Sequence, residues 1–182
     1  MIPSVEQCYE LMKRYGMLDN IRAHSIVVEK VATIITRGLR DAGEDLLLEK
    51  VRAGALMHDI AKTLCLNTRE DHAAKGKEIC LQNRLDEIAD IVGEHIRLKE
   101  YQKEAPVSEK EIVYYADKRV NADAVVSLEE RLDYLLERYG NGKTHLRRMI
   151  RDNFDLCKDV EGKLFSTLAF DPGDLARIIE KE

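Results

Sequence analysis

Gly54-Ala55-Leu56-Met57-His58-Asp59-Ile60-Ala61-Lys62 sets an imidazole, a carboxylate and an ammonium at the end of an apolar run. Burying a His-Asp pair without partners costs on the order of several kcal/mol, so a helix core that carries one needs a compensating group. A bound cation is such a group. Outward from this doublet, His24, His72, His95 and Asp117 each fall on or beside the apolar stripe of a different predicted helix. Polar groups on four further core faces point to one shared centre rather than to four unrelated defects.

The same periodicity decides the fold class. Only 3 prolines and 5% aromatic residues accompany long 3.6-period patterns, so the chain reads as all-α, with no strand pair. Ser4 with Gln7 forms a capping box for a first helix that fades near Gly16. A second helix carries Ile21, His24, Val28, Val31 and Ile35 on one stripe and ends between Gly38 and Gly43. A third runs through Leu48, Val51, Ala55 and His58, with Lys62 one turn further along that face. After a polar loop, Thr63 to Arg69, Thr68-x-x-Asp71 is expected to open a fourth helix, in which His72, Gly76 and Ile79 share a face. A fifth aligns Ile88, Ile91 and His95, and a charged loop from Lys99 to Val107 follows. Ser108 with Glu111 and Ser127 with Glu130 cap two more helices. The first of these places Asp117 one turn beyond Val113, and the second has a Leu128, Leu132, Leu135, Tyr139 seam that packs on its own domain or leaves a homo-oligomer as an option. A helix from about Lys143 to Lys158 and a terminal one after Asp171-Pro172 complete the chain.

With 182 residues and 45% hydrophobic content, the expectation is a single helical domain over 1–182, with a core about 21–121 and C-terminal helices about 127–182. A net charge of -5 argues against a nucleic-acid polymer as partner, while a small phosphorylated ligand remains compatible with it. Cys8, Cys65, Cys80 and Cys157 lack Cys-x-x-Cys spacing and read as reduced thiols. No basic-then-apolar leader and no apolar run of roughly 20 residues is visible, so the expectation is a cytoplasmic protein without membrane contact.

Consecutive helical residues point about 100° apart, so His58 and Asp59 suit different duties. A carboxylate has two oxygens and can reach two ions, which a neutral imidazole cannot; Asp59 is the natural bridge. Imidazole and carboxylate without thiolate suit a divalent transition metal (Fe, Mn, Co, Ni or Zn), one or two ions per chain, and fit calcium poorly. His24, the His58-Asp59 doublet and Asp117, in this order and on helices, resemble the pattern of the HD-domain metal-dependent phosphohydrolase superfamily. Lys62 matches the lysine that often follows its doublet. His72 and His95 stand where a subgroup with two extra histidines, resembling symmetrical dinucleoside tetraphosphate hydrolases, has them.

The resemblance implies a helical bundle around a metal site formed by His24, His58, Asp59, His72, His95 and Asp117. It implies hydrolysis of a phosphoester or phosphoanhydride bond in a nucleotide or dinucleotide. Asp59, Lys62 and Arg119 are then the expected catalytic residues, and Lys62, Arg97 and Arg119 the expected substrate contacts, because each cation lies close in sequence to an expected ligand. Lys99 is a further candidate. Two other readings stay open from the same ligands: an HD-fold di-iron oxygenase, and a noncatalytic nucleotide-binding module. His145 has no place in the pattern and reads as surface.

Overall fold

The computed structural model describes residues 1–181, and its architecture is all-α. Helix α1 (Val5–Arg14) leads into the long α2 (Asp19–Asp41), α3 (Leu48–Met57) and the single turn α4 (Lys62–Cys65). Helices α5 (His72–Gln82), α6 (Asp86–Glu94) and α7 (Glu109–Lys118) follow. Beyond them lie α8 (Leu128–Tyr139), α9 (Thr144–Phe165) and, after a 3-10 turn at Pro172–Asp174, α10 (Leu175–Ile179). Among the described residues no helix is long and apolar enough to cross a membrane.

The capping boxes at Ser4, Ser108 and Ser127 all form, each with reciprocal side-chain and backbone bonds. Each such cap is worth about 1 kcal/mol. Helix α5 departs from expectation: Asp71, not Thr68, is its N-cap, accepting from the Ala73 amide at 2.9 Å. An Asx cap satisfies the first free amide two residues on, and that placed the helix start later than the box pattern suggested. The predicted polar loop from Thr63 also begins inside α4.

A two-residue antiparallel ribbon, β1 (Val120–Asn121) with β2 (Ala124–Val125), corrects the expectation of no strand pair. Strands this short carry no period-2 signal. The predicted Lys143–Lys158 helix extends to Phe165. Of the α8 seam, Leu128 is buried, while Tyr139 is 51% exposed and turned out of the core.

Two apolar clusters fill the bundle. One joins α2, α7 and the C-terminal helices through Val31, Ile35, Tyr114, Tyr115, Phe154 and Val160. The other joins α1, α5 and α6 through Met12, Ile79, Ile88 and Val92. Helices α2, α3 and α6 contribute to both: Ile21 and Val28, Leu56 and Ala55, Val92 and Ile91 belong to opposite clusters. His24, His58 and His95 lie on or at the end of those same helices, where the two clusters meet. Close approach at this junction requires glycine. A Cβ on Gly54 would stand 2.6 Å from Ile91 Cγ2, and one on Gly76 would stand 2.8 Å from Val92 Cγ1.

Candidate metal centre

Helix α3 stops at Met57, one residue before the doublet, rather than running on to Lys62 as the periodicity suggested. The chain tightens there into i→i+3 bonds, Ile60 N–H to Met57 O at 3.0 Å and Lys62 N–H to Asp59 O at 2.9 Å. This break releases His58 and Asp59 from helical spacing, so both side chains turn toward one centre.

Asp59 is 1% exposed and stands in the middle. Its Oδ1 lies 3.2 Å from His72 Nε2 and 3.5 Å from His95 Nε2. Its Oδ2 lies 3.4 Å from His58 Nε2 and accepts from Lys62 Nζ at 2.7 Å. Asp117 Oδ1 is 3.0 Å from His24 Nε2 and 3.6 Å from His58 Nε2. All six expected ligand residues are therefore brought together. Two groups have ligand atoms within 4.8 Å of one another, His24-His58-Asp59 and Asp59-His72-His95, and Asp59 belongs to both.

Three of the rings are held from behind. His58 Nδ1 lies 2.6 Å from Ala55 O, His95 Nδ1 2.7 Å from Val92 O, and His24 Nδ1 2.8 Å from Ala122 O. A carbonyl only accepts, so each Nδ1 carries a proton and donates it, leaving Nε2 as the atom aimed at the centre. The ribbon thus has a function: Ala122 sits at φ 52 in its turn and presents its carbonyl to His24.

At the centre, His58 Nε2 and Asp59 Oδ1 are buried and make no hydrogen bond. Atoms of this kind are rare unless something else satisfies them. Burial pulls the His58 imidazole down, but Asp59 and Asp117 outweigh it and push it up to about 9. Burial would raise the Asp59 carboxyl, yet His58, with His72 and His95, holds it well below the usual carboxylate range. Asp117 is likewise depressed, its burial being overcome by Lys118, His24 and His58. A proton on His58 supplies the positive charge these carboxylates demand, which is the role a divalent ion fills in a site with these donors. The donors are imidazole and carboxylate only, a set that fits a divalent transition metal.

Lys118 is a member the sequence reading missed. It is 4% exposed, lies 4.1 Å from the Tyr114 ring centroid, and donates to Asp117 Oδ2 at 3.3 Å and to the His95 carbonyl. Its only signal was its position next to Asp117. Arg119, in contrast, does not reach the centre. Its guanidinium donates to Tyr115 Oη, to Val126 O at 2.7 Å and to Pro172 O at 2.9 Å, and lies 3.5 Å from Glu161. Two residues after Asp117 it points about 200° around the helix, so it ties α7 to the C-terminal segment instead. Arg97 is exposed and lines a cavity of ≈ 520 Å³ with Asp71, Gly93 and Lys99, which none of the six clustered residues borders. His145 is exposed.

A second cavity, ≈ 190 Å³, reaches the centre at His24. Its lining includes His24 and Lys62, the ribbon residues Asn121 and Ala122, and Arg131 and Tyr134 of α8.

The HD domain family model matches residues 21–122. Among curated proteins, a tRNA (cytidine(56)-2'-O)-methyltransferase of Thermoplasma volcanium is 28% identical over 146 residues, covering 73% of this chain and 41% of that protein. An uncharacterized protein of Methanocaldococcus jannaschii is 24% identical over 151 residues, covering 76% of this chain and 88% of that protein. This chain thus spans less than half the length of the methyltransferase it matches. No solved structure matches. The family match takes in more than half of the 182 residues and every member of the His/Asp cluster, and the chain belongs to the HD domain family, a superfamily of metal-dependent hydrolases.

Proposed function

We propose that this protein is a metal-dependent phosphohydrolase that cleaves a phosphoester or phosphoanhydride bond of a small phosphorylated compound, a nucleotide or dinucleotide. The observation that carries the reading is the pair of donor groups sharing Asp59, with the buried His58 Nε2 and Asp59 Oδ1 making no hydrogen bond. His24, His58, Asp59 and Asp117 would hold one ion, and Asp59, His72 and His95 a second, drawn from Fe, Mn, Co, Ni or Zn. Bound ions of this kind supply Lewis acidity toward phosphoryl oxygens and lower the pKa of water.

The chain's own residues do the rest. Lys62, half-buried on the cavity wall and paired to Asp59 at 2.7 Å, donates to a nonbridging phosphoryl oxygen. Lys118 offsets the negative charge of Asp117 from inside the core. Backbone carbonyls lock the rings of His24, His58 and His95, so the donors are preorganised before substrate arrives. Two ions held through the shared Asp59 would supply the charge that phosphoryl transfer needs at both its attacking and leaving oxygens.

The test is a panel of mononucleotides, dinucleotides and dinucleoside polyphosphates offered to protein purified under reducing, anaerobic conditions and loaded with each metal. Metal-dependent hydrolysis of at least one compound is expected, abolished by a chelator. Lys62→Ala should lower kcat by roughly 10²- to 10³-fold while retaining metal. Dioxygen consumption without phosphate-bond cleavage would instead select the di-iron oxygenase. Tight nucleotide binding with neither activity would select the noncatalytic module.

A further inference from the structure

Helix α8 has three faces. Leu128 and Leu136 are buried, with Leu132 packed beside them, and hold the helix to the core. Glu129, Glu130, Asp133 and Glu137 are exposed on the outside. The third face, Arg131, Tyr134, Arg138 and Tyr139 at i, i+3, i+7 and i+8, lines the ≈ 190 Å³ cavity together with His24 and Lys62.

Two observations on this face call for a ligand. Arg131 donates through Nη1 to Asn121 Oδ1 at 2.7 Å, but its Nε is buried without a partner. Arg138 donates to Tyr134 Oη at 3.0 Å. Among the described residues neither arginine forms an ion pair with a carboxylate, although the chain carries a net charge of -5. The cavity lining carries no carboxylate, its charged side chains being Lys62, Arg131 and Arg138, while Glu129 pairs with Lys158 at 3.4 Å and Glu130 caps the Ser127 amide at 2.7 Å. The mouth is therefore locally cationic in an acidic protein, which suits an anion.

The second observation is aromatic. The Arg131 and Arg138 guanidiniums lie 5.5 and 5.9 Å from the Tyr134 ring centroid, and Arg138 lies 5.7 Å from that of Tyr139. Tyr139 is 51% exposed at the rim. Guanidinium planes and open tyrosine faces are the surfaces on which nucleobases stack. Sites that engulf a whole drug-sized ligand run from about 300 Å³ upward. A cavity of ≈ 190 Å³ takes in the phosphate end and leaves the base at the rim, where Tyr139 stands.

We propose that α8 is a nucleotide clamp, in which Arg131 and Arg138, with Lys62 in the same cavity, receive the phosphate and Tyr139 stacks on the base. The inference rests on the phosphohydrolase reading and assigns to α8 the residues that hold the phosphate and the base of its nucleotide. The test is calorimetric titration of the metal-loaded full chain with AMP and with ribose 5-phosphate. AMP should bind about tenfold tighter than ribose 5-phosphate, within the range of one stacked base. Tyr139→Ala, at an exposed position that the fold does not need, should erase that ratio and leave ribose 5-phosphate affinity in place. Arg131→Gln and Arg138→Gln should weaken both ligands by a similar factor of about ten while metal content stays unchanged. A ratio that survives Tyr139→Ala, or affinities indifferent to both arginine substitutions, would overturn the clamp. Turnover of phosphorylated compounds alongside that indifference would overturn the clamp alone. Binding that obeys the substitutions in a protein without turnover would support the clamp and overturn the hydrolase reading.

Discussion

Asp59→Asn keeps the volume of the central side chain and removes its charge. In the metal-free protein this leaves Lys62, 2.7 Å from Oδ2, and His58, 3.4 Å from it, facing a neutral amide at a position that is 1% exposed. Removing one partner of a buried ionic set costs about 3–5 kcal/mol. His58, no longer held up near 9 by two carboxylates, can shed its proton, so the lower end applies. For a chain of 182 residues, about 3 kcal/mol corresponds to a fall in Tm of roughly 6–12 °C in chelator. A divalent ion at 100 times its Kd should stabilise the wild type by about 2.7 kcal/mol, or roughly 5–11 °C. The variant, having lost a ligand to both proposed ions, should gain less than half of that. Thermal melts with and without chelator read both quantities. A variant that gained as much Tm from metal as the wild type would refute Asp59 as the shared ligand.

Three further outcomes follow from the geometry. Arg119→Met removes the ion pair to Glu161, which keeps its hydrogen bond from Tyr115, and leaves two carbonyls without a donor, so it should cost about 1–3 kcal/mol in denaturant melts without changing metal stoichiometry; lost turnover at full stability would return Arg119 to substrate contact. Gly54→Ala drives a Cβ to 2.6 Å from Ile91 Cγ2 and should destabilise by about 1–3 kcal/mol, whereas an unchanged midpoint would contradict the close α3–α6 contact. In chelator, the His58 contribution should be fully present below its unfolded value near 6.5 and fade as pH rises through about 9, so melts at pH 7 and pH 10 should differ in favour of pH 7; the reverse order would refute the protonated His58.

His24, His72, His95 and Asp117 were legible because each falls on or beside an apolar stripe, the His58-Asp59 doublet because it ends an apolar run, and the resemblance to a known pattern joined the six into one set. His24 between Ile21 and Val28 is the clearest case. Sequence adjacency served less well. It placed Arg119 at the site because Asp117 is two residues away, but helix geometry sends the two side chains to opposite sides. It also ran α3 straight through the doublet, since nothing in the residues signals the i→i+3 tightening after Met57. The α8 face stayed hidden for a different reason: arginines and tyrosines on an amphipathic helix read as solvated surface until the fold lays them over His24 and Lys62. The ribbon that orients His24 is two residues per strand, below any pattern length.

Metal content per chain tests the central claim most directly. Protein prepared under reducing, anaerobic conditions, equilibrated with Mn, Fe, Co, Ni or Zn and freed of loose ions, should carry two ions of at least one metal. His72→Ala with His95→Ala should lower that number to one while the His24 side keeps its ion. A wild-type chain that binds no more than one ion under every metal would contradict the shared Asp59 bridge and leave His72 and His95 as structural or substrate-facing groups.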